Sequence, residues 1–293
     1  QRVINGLTVA TAEGPLYDVD MRLRPSGNKG PVAVHVEGFD RYQRETAWTW
    51  EHMALTRART IAGPKALRQR VDGIIRDVLC AVRDPDKLAA DVRDMHRRVQ
   101  EQHGTRDPWN LKHARGALLD IEFIAQYLLL RHAHERPAII SGTTAVALDR
   151  LGEAGLLGRA DAAMLADAAR FLGALQAVLR LCTGGSFDEA EAPSGLKAAL
   201  ATAGWSADFP HLKRRLLDTE RRVAAAFDAI LGERAAARRR KRTTPIKAKK
   251  EPGMSKELDV GSKAPDFTLP TDGDGTISLK QLKGKKVVLY FYP

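Results

Sequence analysis

Residues 17–24 read Tyr-Asp-Val-Asp-Met-Arg-Leu-Arg, an alternation that sets Asp18, Asp20, Arg22 and Arg24 on one face of a strand and Tyr17, Val19, Met21 and Leu23 on the other. A carboxylate two residues from one guanidinium and four from a second suits a metal and phosphate site. In nucleotidyl transfer, carboxylates hold Mg²⁺ ions that neutralise a triphosphate, while arginines grip its oxygens. On that chemistry Asp20 is the catalytic and metal-binding candidate, and Arg22 and Arg24 are phosphate-binding candidates. A solvated strand edge carrying an Asp/Arg ion pair fits the same alternation. The run that follows, Pro25-Ser26-Gly27-Asn28-Lys29-Gly30-Pro31, holds Asn28 and Lys29 in a Gly-flanked loop. That loop could meet nucleotide phosphates, or be a plain hairpin turn.

Other polar residues carry less. Arg57 and Arg59 are two apart on an expected helix, about 200° round, so at most one faces any given site. Asp120 and Glu122 share that offset and cannot form an acid/base couple on one helix face; Glu122 is expected to be a buried helix anchor. His113, His132 and His134 have no spacing that makes metal ligands on a helix. Cys80 and Cys182 lie far apart and outside any Cys-x-x-Cys spacing, so they read as two reduced core thiols rather than a disulfide or a zinc site.

The elements that must position these residues change character along the chain. The first strand turns into Val32-Ala33-Val34-His35-Val36, giving a β-hairpin with a long loop. From about Phe39 the period is helical, with Trp50, Ala54, Ala58 and Ile61 on one stripe that Gly63-Pro64 ends. Amphipathic helices then continue to about Glu233, broken at Asp84-Pro85, His103-Gly104, Arg136-Pro137, Gly184-Gly185 and Phe209-Pro210. Residues 160–181 are the clearest helix, and residues 212–231 close a bundle. The fold class expected is mainly α: a β-hairpin leading into helices (1–105), a helical bundle (106–233), a basic linker (234–253) and a short β tail (254–293).

Composition agrees with one or two buried cores: 44% of the 293 residues are hydrophobic and 28% charged. Of the net charge of +11, nine positive charges fall in residues 234–250, which contain no acid, leaving +2 for everything else. The basicity is therefore local, and is expected to belong to a solvated linker rather than to a nucleic-acid surface. No apolar run approaches the roughly 20 residues needed to cross a bilayer, and the first residues lack the charge and apolar pattern of a leader. No membrane or nucleic-acid partner is expected, and the location expected is cytoplasmic. The first residue is not Met, so the chain is expected to begin inside a longer reading frame.

The runs Val19-Asp20-Met21-Arg22-Leu23-Arg24-Pro25-Ser26-Gly27-Asn28-Lys29-Gly30, Ala47-Trp48-Thr49-Trp50-Glu51-His52 and Arg57-Ala58-Arg59, with Tyr42-Gln43 between the first two, resemble bacterial glutamine synthetase adenylyltransferases. So does the second block, Asp120-Ile121-Glu122-Phe123-Ile124-Ala125-Gln126-Tyr127-Leu128 followed by Arg131-His132-Ala133-His134. The resemblance spans residues 16–233 and is nearer to the AMP-attaching unit of that family than to its AMP-removing unit. It implies that residues 1–105 are the carboxy-terminal half of a nucleotidyltransferase α/β domain, its β-hairpin a remnant, in an enzyme that moves AMP from ATP, with Mg²⁺, to a tyrosine of glutamine synthetase, under control of glutamine and a PII signalling protein. It also implies that Asp20 is the third metal-binding carboxylate, with two partners in an upstream Asp-x-Asp segment. Residues 1–16 hold one acid, Glu13, and no such segment. The chain alone is therefore expected to be inactive. Paired Gly is usual in the family where this chain has Gly116-Ala117, a change expected to loosen a turn without altering function.

Residues 254–293, from Met254 through Gly261-Ser262-Lys263-Ala264-Pro265-Asp266-Phe267-Thr268-Leu269-Pro270 to a terminal strand at 286–293, resemble the amino terminus of a peroxiredoxin of the bacterioferritin-comigratory type. Neither Cys80 nor Cys182 is placed to act as its peroxidatic thiol. Met254 stands where such a protein would initiate, so either a frame joining two neighbouring genes or a gene-prediction artefact is expected. Two other function classes stay open at this level: a non-catalytic module that binds glutamine synthetase or its regulator, and a truncated thiol peroxidase.

Overall fold

The computed structural model describes residues 2–12, 14, 19–20, 24–27, 30–183, 187–232, 268–270 and 276–278. The chain divides into two compact units, residues 1–243 and 244–293. In the second, strand β1 (Thr268–Pro270) pairs antiparallel with β2 (Thr276–Ser278), Leu269 opposite Ile277.

The first unit is helical throughout its described elements. Helix α1 (Arg2–Thr8) precedes α2 (Val36–Glu45), α3 (Thr49–Leu55), α4 (Lys65–Leu79) and α5 (Pro85–His103). Then come α6 (Leu118–His132), a 3₁₀ turn at Pro137–Ile139, α7 (Thr144–Glu153), α8 (Arg159–Thr183), α9 (Ser194–Ala203) and α10 (Phe209–Ile230). Local chemistry sets several boundaries. The Asp84 carboxylate accepts from the backbone N–H of Asp86 (2.9 Å) and Lys87 (2.7 Å) ahead of Pro85, capping α5. Gly104 ends it, because a Cβ there would lie 2.4 Å from the Gln100 carbonyl oxygen. Asp208 caps α10 in the same way, accepting from His211 N–H at 2.8 Å.

The core is built around α6, whose Ile121, Ile124 and Tyr127 are fully buried and whose inward face extends to Leu119, Phe123 and residues 128–130. Helix α8 brings Leu165, Phe171, Leu172, Leu175 and Leu179 to it, spaced as one helical stripe. Helix α7 packs closely on α8: a Cβ on Gly152 would sit 2.6 Å from Ala162 Cβ. Helix α10 adds Leu212, Leu216, Val223 and Phe227, and α5 adds Leu88, Ala89 and Val92. Among the described residues α8 alone is long and apolar enough by composition to cross a membrane. Its apolar stripe is already used inside the bundle, and its Arg170 pairs with Asp149 of α7, so it is accounted for as a core helix.

Several expectations need correction. Residues 31–35 form no strand, and Val36 opens a helix. Val36 and Phe39 pack on the core with helical spacing, which outweighs the short alternation at 32–36; a hairpin without further strands is marginal in any case. Tyr17, Asp18 and residues 21–23 of the first strand lie outside the described residues, as do Gly184-Gly185, residues 234–253 and the terminal strand at 286–293. The stripe Trp50, Ala54, Ala58, Ile61 does not face the core: Trp50 is exposed and Ile61 is 82% exposed. The helix ends at Leu55, and its inward residues are Glu51, Met53 and Leu55. Arg57 and Arg59 therefore follow α3 rather than sit on it. Cys182 is exposed, not a core thiol; Cys80 is half-buried, and burial raises its thiol pKa.

Candidate functional site

The segment that carries the expected phosphate loop is a tight turn. Gly27 N–H donates to the Arg24 carbonyl (2.8 Å) and Gly30 N–H to the Gly27 carbonyl (3.2 Å). Ser26 and Gly27 have φ of 61° and 52°, so a non-glycine residue is held in the left-handed region, as tight turns require. Gly30 is required sterically, since a Cβ would lie 2.1 Å from the Pro25 carbonyl oxygen. Arg24 turns its guanidinium back onto this loop: Nε and Nη2 both donate to the Gly30 carbonyl at 3.3 Å. Asp20 lies exposed on irregular backbone. Arg22, Asn28 and Lys29 lie outside the described residues.

The turn is tied to the helices behind it through one polar chain. Tyr42 of α2 lies beside the Ser26 backbone and donates its hydroxyl proton to Glu51 Oε1 at 2.7 Å. Burial, and then the Glu51 carboxylate, raise the Tyr42 pKa, keeping the phenol protonated as this donation requires. The other oxygen of Glu51 accepts from Trp48 N–H at 2.8 Å, closing the first turn of α3. Next to it, His52 Nε2 meets the Gln43 carbonyl at 2.8 Å, so Nε2 carries the proton and Nδ1 is left to accept from Arg83 Nη2 at 3.4 Å. Burial, followed by the Arg83 charge, lowers the His52 pKa. Arg83 in turn donates to the Val78 (2.7 Å), Leu79 (3.1 Å) and Ala81 (2.8 Å) carbonyls at the end of α4. The block around Trp48, Glu51 and His52 thus orients the turn, and the expectations for Tyr42, Glu51 and His52 as motif residues acquire physical roles.

A second polar cluster sits at the head of α6. Asp120 is fully buried; Oδ1 faces His96 Nε2 at 2.6 Å, and Oδ2 accepts from Arg115 Nη1 and from Gly116 N–H at 2.8 Å. With the carboxylate accepting, His96 Nε2 holds the proton. The His96 ring lies 4.2 Å from that of Phe227 and meets the Phe123 edge at 5.2 Å. Arg115 lies over Phe227 at 4.7 Å and donates to Asp228 Oδ1 at 2.6 Å, so one guanidinium joins α6 to α10. Gly116 (φ 85°) leaves no room for a side chain, as a Cβ would lie 1.9 Å from the Glu220 carbonyl oxygen. The buried anchor of this block is therefore Asp120, not Glu122. Glu122 is partly exposed and pairs with Arg57 Nη1 at 2.6 Å, bracing the segment after α3 against α6. The signal for this arrangement was the offset itself: two positions two apart on a helix cannot both face inward.

Glu220, on α10 behind Gly116, is buried with Oε1 lacking a hydrogen-bond partner, and burial followed by the charge of Asp107 pushes its pKa up to about 7. Among the described residues no three His, Cys, Asp or Glu side chains are gathered to hold a metal ion.

Comparison with known proteins gives this geometry a context. Residues 1–74 match the family model of glutamate-ammonia ligase adenylyltransferase, residues 87–231 that of GlnD PII-uridylyltransferase, and residues 260–293 that of the AhpC/TSA family. The chain is 46% identical over 232 residues to the bifunctional glutamine synthetase adenylyltransferase/adenylyl-removing enzyme of Rhodopseudomonas palustris (strain TIE-1), covering 79% of this chain and 23% of that protein. Proteins of the same name from Bradyrhizobium sp. (strain BTAi1 / ATCC BAA-1182), 46% identical over 233 residues, and Xanthobacter autotrophicus, 47% over 235, match similarly: 80% and 79% of this chain, 24% and 23% of theirs. The chain spans about a quarter of the length of these curated relatives. The resemblance read from the motif blocks is thus a similarity over most of the chain.

Proposed function

We propose that residues 1–232 are part of a nucleotidyltransferase that moves AMP from ATP to a tyrosine hydroxyl of glutamine synthetase. The observation that carries this reading is the similarity over 79% of the chain to adenylyltransferases named for that substrate. The strained turn at Ser26-Gly27, braced by Tyr42 and Glu51, supports it as a surface against which phosphates could be held. In this reading Asp20 is a carboxylate for Mg²⁺, and the ion, when bound, neutralises charge on the triphosphate. Arg22, Asn28 and Lys29 meet phosphate oxygens, while Arg24, bonded to the Gly30 carbonyl, shapes the loop that carries them. The helical bundle supports the turn through the Arg57–Glu122 pair and is the surface offered to glutamine synthetase; glutamine and a PII signalling protein are the proposed regulators.

The proposal includes that the 293 residues are inactive by themselves, because the resemblance implies two further metal-binding carboxylates in an Asp-x-Asp segment ahead of Asp20 and residues 1–16 of this sequence hold no such segment. With ATP, Mg²⁺ and glutamine synthetase, this chain should incorporate no labelled AMP. Robust incorporation that disappears in Asp20→Ala would overturn that part of the proposal. Residues 260–293, which match the AhpC/TSA model, hold no cysteine, so no thiol chemistry is assigned to them.

A further inference from the structure

A cleft of about 490 Å³ lies between residues 107–113 and the C-terminal half of α8. This volume is in the range of small-molecule sites. Its floor is rigid. Trp109 is buried, stacked on Phe209 (ring planes 10° apart, 5.2 Å) and 4.7 Å from Phe187, and its Nε1 donates to Glu189 Oε2 at 3.2 Å. Glu189 is itself held by Lys213 at 2.8 Å. The rim is cationic. Lys112 and Arg180 both line the cleft, and among the described residues neither has an acidic partner, whereas Arg97, Arg115 and Arg170 in the same bundle are all paired.

The third polar group is His113. Its backbone is fixed, with N–H donating to Asn110 Oδ1 at 3.1 Å and its carbonyl accepting from Gln100 Nε2 at 3.4 Å. Its Nδ1 is buried without a hydrogen-bond partner. One acid, Asp107, lines the cleft, and its Oδ1 already accepts from Trp109 N–H at 3.0 Å. The cleft therefore combines two cations without a salt-bridge partner among the described residues, one acid and an aromatic floor.

We propose that this cleft binds a small organic oxyanion, a carboxylate or a phosphate monoester, with its charged end between Lys112 and Arg180 and its apolar body against Leu179 and Phe187. His113 lines the cleft beside these two cations, so its ring reports the anion bound there. Nothing in the assignment depends on the AMP-transfer reading, since the cleft shares no residue with the turn at 24–30.

The test is a titration of the full 293-residue chain, labelled at histidine ring nitrogens, with phenyl phosphate and with benzoate, and with benzylamine as a cationic control. A saturable shift of the His113 resonances by either anion, and none by benzylamine, is expected. The anion that acts tells whether the source is phosphate or carboxylate. Arg180→Ala and Lys112→Ala, both exposed positions, should each weaken binding about tenfold with unchanged thermal unfolding. No shift by either anion at millimolar concentration overturns the proposal. So does a shift that survives a Lys112→Glu, Arg180→Glu double variant, or one that benzylamine produces equally.

Discussion

At the scale of single residues, two buried carboxyl groups behave in opposite ways, and both are testable. Asp120 has every lone pair it needs satisfied by His96, Arg115 and Gly116. Removing it leaves the buried His96 imidazole and the Gly116 N–H without their acceptor, so Asp120→Ala should lower unfolding stability by about 3 kcal/mol, read as a fall in the urea midpoint. Glu122→Ala, which loses only a partly exposed pair, should cost no more than about 1 kcal/mol. Glu220 has the reverse problem, a buried carboxyl with an unpartnered oxygen. Its folded-state pKa, about 7, lies above the usual 4.5, so the folded chain holds the extra proton. The stability this proton contributes is complete below about pH 4.5 and is lost as pH rises through about 7. Glu220→Gln should therefore match the parent chain at pH 5 and be more stable at pH 8, by on the order of 1 kcal/mol. A parallel pH dependence in both proteins would contradict the assignment.

At the scale of elements, the helices were legible wherever a breaker pair coincided with a capping side chain. Asp84-Pro85 and Phe209-Pro210 mark helix starts because Asp84 and Asp208 accept from exposed N–H groups there. His103-Gly104 marks an end because only glycine fits against Gln100. Between residues 32 and 61 the reading failed for a physical reason. A five-residue alternation and a four-residue stripe are too short to outweigh packing, and the partners that decide burial of Val36, Phe39 and Met53 lie far along the chain. The chain Ser26–Tyr42–Glu51–Trp48 was equally invisible, since hydrogen bonds between distant side chains leave no period. Gly116 brings the backbone into close approach with α10. Gly116→Ala combines a positive φ with a contact of 1.9 Å, so it should destabilise the chain by about 2 kcal/mol or more and lower the thermal midpoint. A substitution without effect would mean that α10 does not rest on this turn.

At the scale of the whole molecule, the similarity to adenylyltransferases was legible from the motif runs, because long ordered runs constrain many residue types at once. What the runs could not supply is the arrangement that holds the turn, which depends on α2, α3 and α6 together. The bundle and the turn form one mechanical unit in this account: Glu51 fixes the turn, and Arg57–Glu122 ties the segment after α3 to the central helix. The central claim is that this unit belongs to an AMP-transferring enzyme. Its most direct test is to replace the matching segment of the Rhodopseudomonas palustris relative with residues 1–232 of this chain. Transfer of label from α-labelled ATP to glutamine synthetase is then measured in the presence of Mg²⁺. The account predicts incorporation by the chimera and its loss in Asp20→Asn, with folding unchanged. A folded chimera that transfers no AMP, or one whose transfer is indifferent to Asp20, would contradict it.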